Sequence, residues 1–113
     1  MSEFLLIFRG GDARMAEFSQ EESQAHMEKW GIWMGQLGEA GKLNGGEPLH
    51  QTGRVMTDGG NTVTDGPYAE GKELVGGYVM LKASGYDEAV SLSKGCPIFE
   101  LEGTVEVREV AKL

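Results

Sequence analysis

A rigid corner that leads into an apolar strand constrains the fold of this chain more than any other feature. The corner is Asp65-Gly66-Pro67. Asp accepts hydrogen bonds from nearby backbone N–H groups, Gly tolerates positive φ, and Pro fixes φ near about −65°. Residues 74–81 follow as a nearly continuous apolar run, which is typical of a strand buried on both faces. We therefore expect a central strand with a charged segment at its entrance.

The other segments predict two helices and five further strands. Ser19 and Glu22 form a capping box that starts a long helix, which continues to Ala40 with Gly41 after its end. Residues 58–61, Asp-Gly-Gly-Asn, predict a hairpin turn. The predicted strands are residues 3–8, 43–49, 54–57, 62–64, 74–82 and 104–110; a second helix, capped by Ser84 or Asp87, ends near Lys94, and residues 95–103 are expected to be a loop.

Without the hairpin, the element order is β-α-β-β-α-β, which is the ferredoxin-like α+β arrangement. In that arrangement both helices cover one face of the sheet. The other face then carries apolar side chains of the first and central strands, and so much apolar surface needs a partner. The residues alone do not identify that partner.

The charged segment also carries a family resemblance. Residues 65–68, Asp-Gly-Pro-Tyr, with the following Glu70, Lys72 and Glu73, resemble the signature of the DGPF-motif branch of the YCII-related family. Tyr68 stands where that family usually has Phe, and the similarity extends over essentially the whole chain. It implies a dimeric α+β barrel with a pocket, in which a second copy of the chain covers the apolar face, so we expect a symmetric homodimer. It does not imply one reaction, and the association of some members with extracytoplasmic-function sigma factors makes a regulatory partnership conceivable.

Composition limits the classes of partner. The 113 residues suit a single domain, residues 1–113, and the net charge of −8 argues against direct binding to nucleic acid or to a membrane surface. The single cysteine, Cys96, excludes an internal disulfide, suits a reducing cytoplasm and is expected to be a buried structural thiol. The sequence contains neither a recognisable signal peptide nor an apolar run of membrane-spanning length.

Two residues are the candidate catalytic groups. His26 lies within the apolar stripe of the long helix, where it could act as a general acid or base or be a structural imidazole with one polar partner. Asp65 could cap its own turn, or it could face a pocket and orient His26 as a carboxylate orients histidine in hydrolytic triads. The resemblance favours the catalytic role, because a histidine and an aspartate facing a shared cleft are the family's suspected active groups.

The candidate ligand-binding residues are Tyr68, Glu70, Lys72, Glu73 and Arg108. The alternative for the charged members is ordinary surface charge. Arg108 shares one face of the last strand with Glu106, and it could anchor a ligand carboxylate if that face lines the barrel. Two isolated histidines and one cysteine argue against a zinc site, and no phosphate-binding glycine motif indicates a nucleotide, so we expect neither metal nor cofactor.

These observations leave two functions open. One is a small cofactor-independent enzyme that performs acid–base chemistry on a small organic molecule with His26 and Asp65. The other is a non-catalytic module that binds a small ligand or a protein. The two differ in what they require of His26: a solvent-reachable pocket for the enzyme, and a sealed, packed ring for the module.

Overall fold

The computed structural model describes residues 1–66 and 74–113. Within these residues the order of elements agrees closely with the sequence prediction. The elements are β1 (Ser2–Arg9), α1 (Asp12–Ala16), α2 (Gln20–Glu39), β2 (Leu43–Pro48), β3 (Gly53–Thr57), β4 (Thr62–Gly66), β5 (Val75–Ala83), α3 (Tyr86–Ser93) and β6 (Thr104–Glu109), with short 3-10 turns at Asp58–Gly60 and Pro97–Leu101.

Four strands form an antiparallel sheet in the order β2-β5-β1-β6. With α2 between β1 and β2, and α3 between β5 and β6, this is the ferredoxin-like α+β fold. The predicted extra hairpin is also present, as a separate sheet of β3 and β4 that packs mainly against its own turn. The four-stranded sheet is open in the protomer, as half of a dimeric α+β barrel is.

The start and end of α2 follow the predicted capping signals. The backbone N–H of Glu22 donates to Ser19 Oγ at 3.1 Å, and the backbone N–H of Ser19 donates to Glu22 Oε1 at 3.0 Å. After the C-cap, Gly41 has a φ of 72°, a left-handed conformation that glycine adopts without steric cost. The capping box therefore fixes the helix start, and with it the rotational position of the residues that face the sheet.

The central strand is buried on one face of the protomer rather than on both. In β5, Val79, Leu81 and Ala83 are 0–2% exposed, whereas Tyr78 and Met80, which point to the opposite face, are half-buried. β1 alternates in the same way: Phe4, Leu6 and Phe8 are buried towards the helices, and the residues between them are half-buried. The helices thus cover one face, which we call the helical face, and leave the other, the open face, partly exposed.

Two elements were absent from the sequence prediction. The helix α1 lies between the predicted first strand and the predicted long helix, where no element was expected, and residues 97–101, expected to be part of a loop, form a 3-10 turn. That turn places Ile98 and Leu101 in the core, next to the buried Cys96. Among the described residues, no helix is long and apolar enough to cross a membrane.

Candidate functional site

A cavity of about 320 Å³ lies between the helical face of the sheet and α2. This volume is at the lower end of the range for small-molecule sites, about 300–1,000 Å³. The described lining is largely apolar and rich in aromatic and sulfur-containing side chains. Its members are Phe8, Gly10, Gly11, Asp12, Met15, His26, Met27, Trp30, Met34, Gly46, Glu47, Pro48, Gly76, Gly77, Tyr78, Val79, Ile98 and Leu101.

Glycines let β2 and β5 approach closely at the edge of the cavity. A Cβ atom at Gly46 would lie 2.7 Å from the carbonyl oxygen of Tyr78, and one at Gly77 would lie 2.9 Å from the carbonyl oxygen of Glu47. Both distances are shorter than real Cβ contacts, so any side chain at either position would push the strands apart. Gly77 also pairs with Phe8 of β1, and both residues line the cavity.

His26 is the buried ionisable group of this site. It projects from α2, is 2% exposed and lines the cavity. Its ring lies edge-on to Phe18 and Trp30, with centroid distances of 6.0 and 6.3 Å. Both ring nitrogens have partners: Trp30 Nε1 lies 2.8 Å from Nε2, and Glu100 Oε2 lies 3.1 Å from Nδ1.

These two partners define the tautomer of His26. An indole N–H is a donor only, so Nε2 accepts the hydrogen bond from Trp30. The neutral ring then carries its proton on Nδ1, which donates to the Glu100 carboxylate. The site therefore combines a buried imidazole with two fixed partners. The Glu100 carboxylate accepts a hydrogen bond from Nδ1–H, and the Trp30 indole donates one to the lone pair of Nε2.

Glu100 was not singled out in the sequence. It lies on the 3-10 turn Pro97–Leu101, 74 residues from His26, and accepts hydrogen bonds from Lys29 Nζ at 3.0 and 3.1 Å. The hydrogen bonds from Lys29 and then from His26 hold the pKa of the Glu100 carboxyl below its usual range. The sequence indicates only one of the two contacts of His26. His26 and Trp30 are four residues apart on a helix and are therefore neighbours, but no local pattern identifies Glu100 as the second partner.

Asp65 does not meet His26 within one protomer. Its side chain is 93% exposed at the end of β4, and its Oδ1 lies 3.4 Å from Arg54 Nη1 on the paired strand β3. Within one protomer the carboxylate beside His26 Nδ1 is that of Glu100, and the pairing of Asp65 with His26 stays a prediction. Asp65 lies away from His26 because it belongs to the hairpin, which is separate from the sheet that carries the cavity.

Arg108 lies on the open face of the sheet. It pairs with Leu5 of β1, while Glu106 pairs with Ile7, and both partners belong to the half-buried set. Glu106 accepts hydrogen bonds from Arg9 and, at 3.3 Å, from Arg108, and these two guanidinium groups lower the pKa of the Glu106 carboxyl. Arg108 is thus separated by the sheet from a ligand in the described cavity.

The remaining predicted ligand-binding residues, Tyr68, Glu70, Lys72 and Glu73, lie outside the described residues and stay predictions. Among residues 1–66 and 74–113, no group of three His, Cys, Asp or Glu side chains could hold a metal ion.

The fold and the cavity define a class of small α+β proteins with a ligand-sized space under the longer helix of an open sheet. The chain belongs to the YCII-related family, whose domain model matches residues 5–113. A similar solved structure is 5-chloro-2-hydroxyhydroquinone dehydrochlorinase from Burkholderia phenoliruptrix, in complex with 2,5-dihydroxybenzoquinone. The TM-score is 0.57 at 13% identity, with 98% of this chain and 95% of that chain covered. No curated protein matches the sequence.

Proposed function

We propose that this protein is a small cofactor-independent enzyme that performs acid–base chemistry on a small ring compound bound in the cavity. The observation that carries the proposal is a buried imidazole in the cavity wall with a carboxylate on its second nitrogen. A neutral histidine oriented in this way can take a proton at Nε2, and the carboxylate stabilises the imidazolium that forms.

The lining supports a ring-shaped ligand. Phe8 and Trp30 offer ring edges and faces, and Met15 and Met34 offer polarizable sulfur atoms that contact aromatic rings favourably. The similar structure is a dehydrochlorinase solved with a hydroxylated quinone, which is a small ring compound. At 13% identity that likeness supports the fold, and the choice of a ring compound follows from the lining.

The proposal includes a homodimer formed through the open face. Leu5, Ile7, Tyr78 and Met80 are half-buried there in the protomer, and a second copy would cover them. In such a dimer the hairpin could bring Asp65 to the partner's cavity, which is how we retain Asp65 as a second catalytic group. Tyr68, Glu70, Lys72 and Glu73 remain proposed ligand contacts. Arg108 lies on the open face and remains a proposed contact only for a ligand held between the two sheets of the dimer. Sedimentation at low micromolar concentration tests the dimer, and a stable monomer would contradict it.

Proton exchange at ring carbons tests the chemistry without knowledge of the natural substrate. The probe is 1,2,4-trihydroxybenzene in D₂O under nitrogen, followed by loss of its ring proton signals in NMR spectra. We expect the protein to accelerate this exchange, and His26→Gln to abolish the acceleration. His50→Gln is the matched control, because His50 is exposed and does not line the cavity.

A cavity-filling variant guards against loss of folding in His26→Gln. Met15→Trp adds volume to the cavity wall and leaves both partners of His26 in place. It should remove both the exchange and the rise in melting temperature that a bound ring compound causes by mass action. No acceleration by the wild-type protein, despite binding, would overturn the enzymatic proposal.

The second candidate is a non-catalytic binding module. It is favoured by the 2% exposure of His26 and by the hydrogen bond that fills Nε2. The melting temperature and the exchange rate, both measured with the same probe, distinguish the two functions. For a binding module, the probe raises the melting temperature, and the exchange rate stays at that of buffer. A partnership with an extracytoplasmic-function sigma factor rests on the family resemblance alone.

A further inference from the structure

We propose that Glu100 is a positioning residue that locks His26 in its Nδ1–H tautomer, so that the cavity prefers ring compounds carrying a hydrogen-bond donor, such as a hydroxyl, over equally shaped ones without it. The inference rests on the proposed function, because it concerns the group that handles the proton there. It adds a residue outside the predicted set and a chemical requirement on the ligand.

The lock follows from the donor and acceptor inventory around the ring. An ionised carboxylate accepts hydrogen bonds and cannot donate them, so Glu100 requires a proton on the nitrogen that faces it. Lys29 binds both oxygens of Glu100 and favours the ionised form. With the proton held at Nδ1, Nε2 of the neutral ring is left as an acceptor.

The requirement for a donor on the ligand follows from the group that now donates to Nε2. Trp30 donates to Nε2 and also lines the cavity, so its indole holds the position that a ligand needs. A ligand that displaces the indole must replace its hydrogen bond, since a buried acceptor left without a donor destabilises the complex. A ring hydroxyl can do this; a methyl group of the same size cannot.

Such a hydroxyl also completes a balanced proton transfer. The ligand O–H bond breaks, its electron pair stays on the oxygen, and the proton forms a bond to Nε2. The resulting imidazolium keeps its Nδ1–H hydrogen bond to the Glu100 carboxylate. The return of the proton to oxygen or to an adjacent ring carbon restores the neutral ring.

Long-range ¹H–¹⁵N NMR spectra of the histidine-labelled protein test the lock directly. We expect His26 to show an unprotonated Nε2 and a protonated Nδ1, while exposed His50 serves as an internal reference for a free imidazole. Because the Trp30 indole also keeps Nε2 unprotonated, Glu100→Ala is combined with Trp30→Phe, and this double variant should mix the His26 tautomers while Trp30→Phe alone keeps the Nδ1–H form. Glu100→Gln should restore the Nδ1–H form, because the amide oxygen can still accept, and Glu28→Ala, at an exposed site on α2, should change nothing.

Paired ligands test the requirement. Phenol and toluene have nearly the same shape, and the ratio of their affinities reports the value of the hydroxyl. Trp30→Phe keeps an aromatic ring but removes the competing donor, so this ratio should rise by up to about tenfold, the equivalent of one hydrogen bond. The indole N–H resonance of Trp30 should shift when phenol binds to the wild-type protein, and toluene should leave the indole hydrogen bond in place.

The outcomes separate this inference from the proposed function. A protonated Nε2 in the wild-type protein, or an unchanged tautomer when Glu100→Ala is added to Trp30→Phe, would overturn the positioning role even if the protein exchanges ring protons. An unchanged phenol-to-toluene ratio in Trp30→Phe would overturn the ligand requirement. A locked tautomer with no accelerated exchange would leave the positioning role standing and overturn the enzymatic function.

Discussion

The helical face and the open face of the sheet hold their ionisable groups under different physical conditions. On the helical side, His26 is 2% exposed and each ring nitrogen has one defined partner. On the open face, Glu106 lies between Arg9 and Arg108, and the three side chains are 39%, 32% and 67% exposed. Burial makes hydrogen-bond geometry decisive at the first site, whereas water screens the second.

This difference shows why the type of residue alone is a poor guide to function. Arg108 is a forked cation of the kind that binds carboxylates, yet alternation along β6 places it on the face opposite His26. Glu100 is an ordinary glutamate in a short turn, yet it contacts the buried imidazole. What distinguishes the two is the side of the sheet on which each lies.

The test with the largest expected change in stability compares two adjacent leucines whose side chains lie on opposite faces of the sheet. Leu6 is fully buried on the helical face and Leu5 is half-buried on the open face. Leu6→Ala should lower the free energy of unfolding by about 2–5 kcal/mol, because it removes core contacts and leaves a cavity. Leu5→Ala should cost clearly less in the monomer.

Denaturant titrations at several protein concentrations measure both variants. If the open face is a dimer interface, the cost of Leu5→Ala grows with protein concentration, because the leucine is then buried by association. Equal losses for the two variants under conditions where the protein is monomeric would show that the faces do not differ as described.

The second test measures how well water is excluded from the core on the helical face. Burial raises the pKa of the Cys96 thiol to about 12, so the neutral thiol predominates at pH 8 and thiol reagents should modify the native protein far more slowly than the denatured one. Native labelling at the denatured rate would mean that water reaches this part of the core.

The same pKa predicts a pH dependence with a definite sign. The folded thiol keeps its proton to a higher pH than the unfolded thiol, so its contribution to stability is complete below the unfolded pKa of about 8.5 and is lost as the pH rises towards 12. The unfolding free energy of the wild-type protein should therefore fall relative to that of Cys96→Ala between pH 8 and 10. A constant difference would contradict this.

The sequence predicted the features of the fold that depend on local chemistry. The capping box at Ser19, the glycine after α2 and the hairpin turn at residues 58–61 each have a short-range cause, and all are present. The α+β element order followed from them. The helix α1 and the turn Pro97–Leu101 were missed, since short elements of this kind depend on the core contacts that Ile98 and Leu101 make.

The candidate site was only partly predictable. His26 could be found because it interrupts an apolar stripe, and its Trp30 partner follows from helical spacing. Glu100 could not, because its contact with His26 joins residues that are distant in sequence. The position of Asp65 was predictable in principle: counted outward from the turn, the predicted hairpin places Arg54 opposite Asp65, and the structure has that register.

The smallest expected effect belongs to that hairpin pair. Arg54 and Asp65 face each other at 3.4 Å with side chains 65% and 93% exposed, and exposed ion pairs contribute about 0–1 kcal/mol. Arg54→Ala and Asp65→Asn should each change the free energy of unfolding by less than about 1 kcal/mol. The two variants should agree, since each removes the same pair.

Activity then separates the two variants where stability does not. If Asp65 reaches the partner's cavity in a dimer, Asp65→Asn should abolish ring-proton exchange while Arg54→Ala retains most of it. If both variants exchange at the wild-type rate, Asp65 has no part in the chemistry, and the acid–base function rests on His26 with Glu100 alone. A loss in both variants would mean that the ion pair holds the hairpin in place for the partner, a structural role that the exposure of the two side chains in the protomer does not reveal.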